Sequence, residues 1–588
     1  MPIAEPLLEL SPRFTHVAET ERGSVLISDV DSVVLDGRAV GELLRLLDGT
    51  RTAVEVAAGL SGAFKPQFVH LALLQLQADG IVRACTPSPE GPELEERALA
   101  LWRAWEARGD LAPVTVAGGT ARQAKVLLVE DYLLPDLRRI VESETAAKCT
   151  LVRPGPTNIW IGPTVGSPTG PCITCLQSRL RLNLPGRAWV AEVAPGQNLR
   201  IERLPSRVDP AVFQLLSEWL AEPRDAVSAT DIWALDLEGG PPLRHSLPRL
   251  PQCPRCGNPD LQPVGAQFTL KGRTSRPGSA GGLRTRTPQE TWDAYSPLID
   301  ALTGVVRSIE KVDVTKGAPV HVYTASHTNG LLPPTLDALQ EEGRDQSGGK
   351  GVTDLDARVS ALGESLERYS ALHRGTEVVR RARFAELDAE ALRPNDLMLF
   401  SEAQFRARES WNSGLAGAFQ WVPEPYQDEA IAWSPVKSLV TGKACALPTA
   451  YVYLSYQGQG RRYCKSDSNG LAGGNCLEEA ILQGFFELVE RDAVALWWYN
   501  RGRVPAVEGA RLDPAYVREL EEYYDALGRD MWTLDLTTDL GIPCIGAISS
   551  LQETGTEIIF GFGCHLDPAV ALRRALTELN QMVPTVLR

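Results

Sequence analysis

At roughly 150 residues per domain, a chain of 588 residues has room for several domains with separate cores and does not depend on disulfide staples. Its 59 Lys and Arg against 74 Asp and Glu leave a net charge of −15, which argues against a general nucleic-acid binder. The 44% hydrophobic and 23% charged contents are those of an ordinary globular chain, and no apolar run approaches the ~18 residues of a membrane span. The opening MPIAEPLLEL has neither a basic segment nor a long apolar core, so it does not read as a secretory signal. Eleven Cys without an export signal point to reduced thiols or metal ligands. The expectation is a cytoplasmic multidomain protein with no membrane or nucleic-acid partner.

Residues 1–85 read as a first domain. SerValLeuIle (24–27) and SerValValLeu (32–35) carry strand composition. Val40, Leu43, Leu44 and Leu47 recur with helical period, Thr52 caps a second helix over 53–60, and Pro66 opens a third through Gln77. A last strand follows Gly80. Strands around three short helices match a winged helix-turn-helix. Residues 1–83 hold 7 Lys and Arg against 11 Asp and Glu, so phosphate contact is a poor role for them. Such a sheet can instead accept a peptide as an added strand. The expected peptide contacts are Val33, Val34 and Leu35 on the strand, with Phe68 and Leu76 on the third helix.

Residues 86–118, opening with Pro87, Pro89 and Pro92, read as a linker, and 119–270 as a second domain with a buried strand at 125–129. Within it lie two CxxC pairs, Cys172 with Cys175 and Cys253 with Cys256. Four thiolates are the usual closed ligand set of structural zinc. Gly257 permits a tight turn around such a knuckle. The 77 residues between the pairs require a folded insertion. A redox CxxC and two unrelated buried pairs are the alternatives. Residues 271–288, basic and rich in Gly, Ser and Pro, read as a second linker.

The third domain, 289–588, alternates helical patterns with apolar strands such as 309–314 and 558–563, an α+β or α/β mixture. Ser360, Glu364 and Glu367 share one helix face, with Glu364 about 40° from Ser360, and Arg368 follows Glu367. Glu479, Gln483, Glu487 and Glu490 share a face of a second helix. Both helices contain ExxER, offset by 123 residues. The i,i+4 pairs Glu364–Arg368 and Glu487–Arg491 would stabilise any exposed helix by about 0.2–0.5 kcal/mol. Two copies enriched in further Ser, Gln and Glu suggest more. Carboxylates on facing helices repel unless divalent cations lie between them, and hard oxygen ligands suit Mg2+ shared with phosphates. SerGlyGlyLysGly (347–351) fails as a P-loop, because Arg occupies 344 and Gly occupies 351.

Residues 347–370, SGGKGVTDLDARVSALGESLERYS, and 467–501, DSNGLAGGNCLEEAILQGFFELVERDAVALWWYNR, resemble the nucleotide-binding stretches of the YcaO family. A leader-binding winged-helix module, a zinc-bearing domain similar to a degenerate ubiquitin-activating one, and a YcaO domain resemble, in that order, the fused cyclodehydratases of cyanobactin-type peptide biosynthesis. The resemblance implies that Glu364, Glu367, Glu487 and Glu490 hold Mg2+. Ser360, Asn475, Glu479, Gln483 and Arg491 then contact ATP, Arg574 matches a late phosphate-binding Arg, and Lys350 joins them by position. No general base is assigned. The family continues beyond the point matched by Arg588 into a proline-rich tail, so further residues or another chain are expected to complete the site.

The implied activity is ATP- and Mg2+-dependent conversion of Cys, and in some relatives Ser or Thr, of a ribosomal precursor peptide to azolines. The precursor would be bound through its leader and core, and zinc would be structural. The alternatives are a family enzyme making a thioamide or an amidine, and a non-catalytic leader-binding scaffold. A homodimer is left open.

Overall fold

The computed structural model describes residues 5–85, 113–192, 200–203, 230–258, 268–327, 346–414 and 421–587, apart from short gaps within them. The linker read over 86–118 lies almost wholly outside the described residues. The chain divides into two compact units, one built on Met1–Asn258 and one on the residues from Pro259 onward, with Leu302–Gly304 belonging to the first.

The first unit opens with β1 (Leu7–Leu10), β2 (Phe14–Glu19), β3 (Gly23–Ser28), β4 (Ser32–Asp36), α1 (Val40–Leu46), β5 (Asp48–Thr52), α2 (Ala53–Gly59), α3 (Pro66–Ala78) and β6 (Val82–Cys85). Thr52 caps α2 as the sequence predicts: the Glu55 amide donates to its Oγ1 at 3.3 Å, and the Glu55 carboxylate accepts the Thr52 N–H at 2.8 Å. The period-3.6 residues Leu43, Leu44, Val56, Val69, Leu73 and Leu76 form the core beneath β1 and β3.

The unit continues with β7 (Lys125–Leu128), α4 (Leu137–Glu144), β8 (Cys149–Pro154), β9 (Asn158–Val165), α5 (Ile173–Asn183), α6 (Pro185–Glu192), β10 (Arg200–Arg203), β11 (Asp231–Asp236) and β12 (Leu243–Ser246). Five strands form one sheet in the order β12-β11-β9-β8-β7, with only the β7–β8 pair parallel. The short β10 leaves that sheet and pairs antiparallel with β2, Arg200 opposite Glu19 and Arg203 opposite His16. The resulting order β10-β2-β3-β4 leaves β4 at the sheet edge. Residues 1–85 therefore share a sheet with a strand from the second expected domain.

In the second unit, α7 (Pro288–Tyr295), β13 (Ser308–Lys311), β14 (His321–Ser326), β15 (Gln346–Gly351) and α8 (Asp354–Ala371) come first. A four-stranded sheet follows from β16 (Arg380–Ala382), β17 (Glu390–Ala391), β18 (Ile431–Lys437) and β19 (Ala444–Pro448). Then come α9 (Leu477–Asn500), α10 (Pro514–Ala526), β20 (Arg529–Asp535), β21 (Cys544–Leu551), β22 (Ile559–Cys564) and α11 (Pro568–Val586). The strands β13-β14-β15 and β20-β21-β22 are both antiparallel meanders, each followed by a long helix on its last strand.

The last strand and the helix of the two blocks repeat at an offset of about 214 residues, Asp354 corresponding to Pro568. A Cβ on Gly349 would lie 2.3 Å from the carbonyl oxygen of Ala357 and 2.3 Å from the Ala361 nitrogen. A Cβ on Gly563 would lie 2.2 Å from the carbonyl oxygen of Ala571 and 2.7 Å from the Ala575 nitrogen. Only glycine lets each helix backbone come this close to its strand. The helix caps correspond as well: Thr353 accepts from the Asp356 amide at 3.2 Å and Asp567 from the Ala569 amide at 2.9 Å. The same offset pairs Ser360 with Arg574 and Glu364 with Glu578.

Candidate active site

The four cysteines converge. Their Sγ atoms all lie within 4.8 Å of one another. Cys172 is 3.8 Å from Cys175 and 3.6 Å from Cys253, and Cys175 is 3.4 Å from Cys256. A tetrahedron with Zn–S bonds of about 2.3 Å has edges of about 3.8 Å, so the spacing suits that ion. Cys172 sits at the N-terminus of α5, and Cys175 and Cys253 are buried. Hydrogen bonding from Cys175 pulls the Cys172 thiol down to about 4. The same contact, together with burial, pushes Cys175 well up.

On the first domain, β4 and α3 lie where the sequence places them. Val33 and Leu35 pack on the domain core, and Val34 packs with Ala18, Val25, Ile27 and Trp189. Phe68 is 59% exposed, whereas Leu76 belongs to the core. The outward face of α3 is formed by Phe68, Leu71 and Leu74, the last two 66% and 63% exposed. Leu76 is therefore unsuited to direct leader contact: it lies on the inward stripe with Val69 and Leu73.

In the second unit, a glycine-rich loop links α8 to α9. The Gly473 amide donates to Glu367 on α8 at 3.0 Å, and the Gly470 amide donates to Glu487 on α9. Both i,i+4 pairs form, Glu364–Arg368 at 3.4 Å and Glu487–Arg491 at 3.5 Å, and Arg491 also lies 3.5 Å from Glu490. The Glu490 side chain is only 12% exposed. Burial first, then the neighbouring Glu578 carboxylate, pushes Glu490 up to about 7. Burial likewise raises Glu367 to about 7, with Glu487 and Glu364 adding to the effect against Arg368. Burial raises Glu487 as well, against Arg491. Among the described residues, the four carboxylates do not close into one compact ligand group as the thiols do. That arrangement suits Mg2+, which takes one or two carboxylates and fills its octahedron with phosphate oxygens and water.

Glu479 and Asn475 sit at the α9 N-terminus. The Asn475 amide donates to Glu479 at 3.0 Å, and Asn475 Oδ1 accepts from Thr291 Oγ1 at 3.1 Å. Burial alone would raise Glu479, but hydrogen bonds from the Thr285 hydroxyl and amide carry its carboxyl below the usual range. Arg284 donates to Gln483 Oε1 at 3.5 Å and lies 3.9 Å from Glu479. Ser360 is half-buried on α8. Arg574 donates to the Cys564 carbonyl at 3.3 Å, and burial together with the nearby Arg284 charge lowers it to about 10. Lys350 lies on β15, not in a phosphate-binding loop, and pairs with Glu578 at 2.6 Å.

Three site residues escape the sequence reading. Arg284 and Thr285 lie in the stretch read as a linker, whose described part is instead docked on α9: the Lys271 amide donates to Glu478 at 2.8 Å, and Thr285 Oγ1 donates to Glu479 at 2.6 Å. Glu578 is one helical turn beyond Arg574, so the i,i+4 rule applied to Arg574 points to it.

The family model for YcaO cyclodehydratases, ATP- and Mg2+-binding, matches residues 348–588. A heterocyclase solved in complex with substrate and cofactor is similar at a TM-score of 0.72 and 32% identity, covering 98% of this chain and 82% of that one. The heterocyclase TruD is similar at 0.61 and 30% identity, covering 99% and 83%. An uncharacterised protein of Methanothermobacter thermautotrophicus is 28% identical over 301 residues, covering 50% of this chain and 69% of that one. The chain spans between 61% and 69% of the length of the curated relatives it matches. It belongs to the YcaO family, with the YcaO domain at the C-terminal end of a heterocyclase-like multidomain fold. Among the described residues no helix is long and apolar enough to cross a membrane.

Proposed function

We propose that this chain is an ATP- and Mg2+-dependent cyclodehydratase acting on Cys, and by extension Ser or Thr, of a ribosomally made precursor peptide. The observation that carries the reading is that Glu367, Glu487 and Glu490, partly buried around the Gly470–Gly473 loop, have carboxyls raised by burial, with Arg574 near Glu490. A set of like charges that resists ionisation when empty is well suited to a bound dication. Glu364, Glu367, Glu487 and Glu490, joined by Glu578, would hold Mg2+, which supplies charge neutralisation at the phosphates of ATP. Asn475, Glu479, Gln483 and Ser360 would orient the nucleotide, and Arg284 and Arg574 would face its phosphates.

In this reading the peptide supplies its own nucleophile. The thiol of a core Cys adds to the preceding amide carbon. The oxygen so generated accepts a phosphoryl group from ATP and leaves as phosphate as the ring C=N bond forms. The protein contributes positioning and electrostatics, in line with phosphoryl transfer generally. Leader recognition falls to the open edge of β4 and the apolar face of α3, where a peptide strand would extend the sheet while Phe68, Leu71 and Leu74 cover its side chains. The four cysteines would bind structural zinc.

Incubation of the protein with Mg-ATP and a Cys-containing precursor tests the reading. Loss of one water from the peptide with matched phosphate release is expected. Sulfur incorporation would indicate a thioamide-forming enzyme, and leader binding without phosphate release a scaffold.

A further inference from the structure

The imidazole of His565 lies beside the arm that carries Arg284 and serves no step of the chemistry above. The Asp567 amide donates to its Nδ1 at 3.0 Å. An N–H donor fixes Nδ1 as the acceptor, so the neutral ring carries its proton on Nε2. One side of the ring packs on Phe486, centroids 5.1 Å apart, next to Glu487 in sequence. Nε2 faces Gly282: a Cβ there would lie 3.3 Å from it, and Gly282 has a φ of +96° that only glycine adopts readily. Two residues on stands Arg284, and Arg574 donates to the carbonyl of Cys564, the residue before His565.

Among the described residues Nε2–H has no hydrogen-bond acceptor. Guanidinium groups are donors only, so Arg284 and Arg574 cannot accept this proton. Burial first, then the Arg574 and Arg284 charges, disfavour protonation of the ring and outweigh Asp567, which favours it. His565 is thus an orientation-locked Nε2–H donor on which the charges of both Arg284 and Arg574 act, an environment suited to an anionic oxygen. We propose that His565 Nε2–H donates a hydrogen bond to a phosphate oxygen of the nucleotide held by Arg284 and Arg574. The inference rests on the nucleotide-site reading above and adds a phosphate-contacting residue to it.

The test is calorimetric titration of the full chain with Mg-ATP and, separately, with adenosine. His565→Phe keeps the ring packing on Phe486 and removes the donor. It should weaken ATP binding by about tenfold or more, the worth of a hydrogen bond to a charged group. His565→Gln, whose side-chain amide restores a donor near Nε2, should return to within about threefold of wild type. Adenosine, which has no phosphate, should bind wild type and both variants equally. His565→Leu serves as a second donor-free variant if the Phe protein is unstable. Equal ATP affinity of wild type and the donor-free variant overturns the proposal, as does a parallel loss of adenosine binding, which would assign the ring a packing role. Failure of the wild type itself to bind ATP would instead overturn the nucleotide-site reading.

Discussion

Lys350 Nζ donates to Glu578 Oε2 at 2.6 Å across 228 residues of sequence. The pair ties the edge of one meander to the helix of the other, and both charges act on Glu490, which Glu578 raises and Lys350 lowers. Replacing Glu578 with Gln removes a carboxylate from the group and frees Lys350 to neutralise Glu490. The expected outcome is an unchanged or higher melting temperature without metal. The Mg2+ concentration for half-maximal ATP turnover should rise about tenfold, the order expected for losing one charged partner. A Mg2+ titration of ATPase activity checks it.

The raised carboxyls also set a pH dependence. Glu367 and Glu490 are pushed up to about 7 by burial and their acidic neighbours, against about 4.3 in an unfolded chain. Between these values the native state holds more protons than the unfolded state, so the stability of the metal-free protein falls as pH rises through about 4.3 to 7. Mg2+ requires the ionised form, so Mg2+ affinity should rise over the same interval. Thermal melts with and without Mg2+ across this range should show metal-induced stabilisation growing with pH. Stabilisation independent of pH would mean these groups do not meet the metal.

The proposed zinc site is tested by removing one of its four thiols. Cys253→Ser should lose one zinc per chain and lower the melting temperature of the first unit, because structural zinc binding contributes folding free energy directly. Elemental analysis and calorimetry measure both. A mutant with unchanged stability would assign the cysteines to a free-thiol cluster.

On α3 the inward and outward faces separate stability from binding. Leu76→Ala should destabilise the first unit by about 2–5 kcal/mol, the usual cost of truncating a buried leucine. Leu71→Asp, on the outward face, should change stability by less than about 0.5 kcal/mol and weaken leader binding at least tenfold. Denaturant melts and fluorescence titration with a leader peptide distinguish the two.

Local signals carried the helices of the first domain well. The apolar period placed α1, Thr52 capped α2 and Pro66 opened α3. The cysteine spacing brought four sulfurs together, and the ExxER faces located partly buried glutamates. What was missed is non-local. The four residues of β10 join β2 from about 180 positions away, and strand pairing at that separation leaves no periodic trace. The basic stretch around Arg284 reads as flexible because it has no apolar stripe. It is held instead by backbone and hydroxyl donors on Glu478 and Glu479, which composition does not reveal. The repeat visible in sequence, ExxER at an offset of 123, differs from the repeat in the fold, whose offset of 214 is carried by small residues at Gly349 and Gly563.

The glutamate face of α9 decides whether this is an ATP-dependent enzyme. Calorimetric titration with Mg-ATP should give saturable binding to the wild-type chain and none measurable to Glu487→Gln, with the melting temperature and leader binding of the variant unchanged. Equal ATP affinity in the two proteins would reduce these glutamates to a partly buried helix face and contradict the proposed activity.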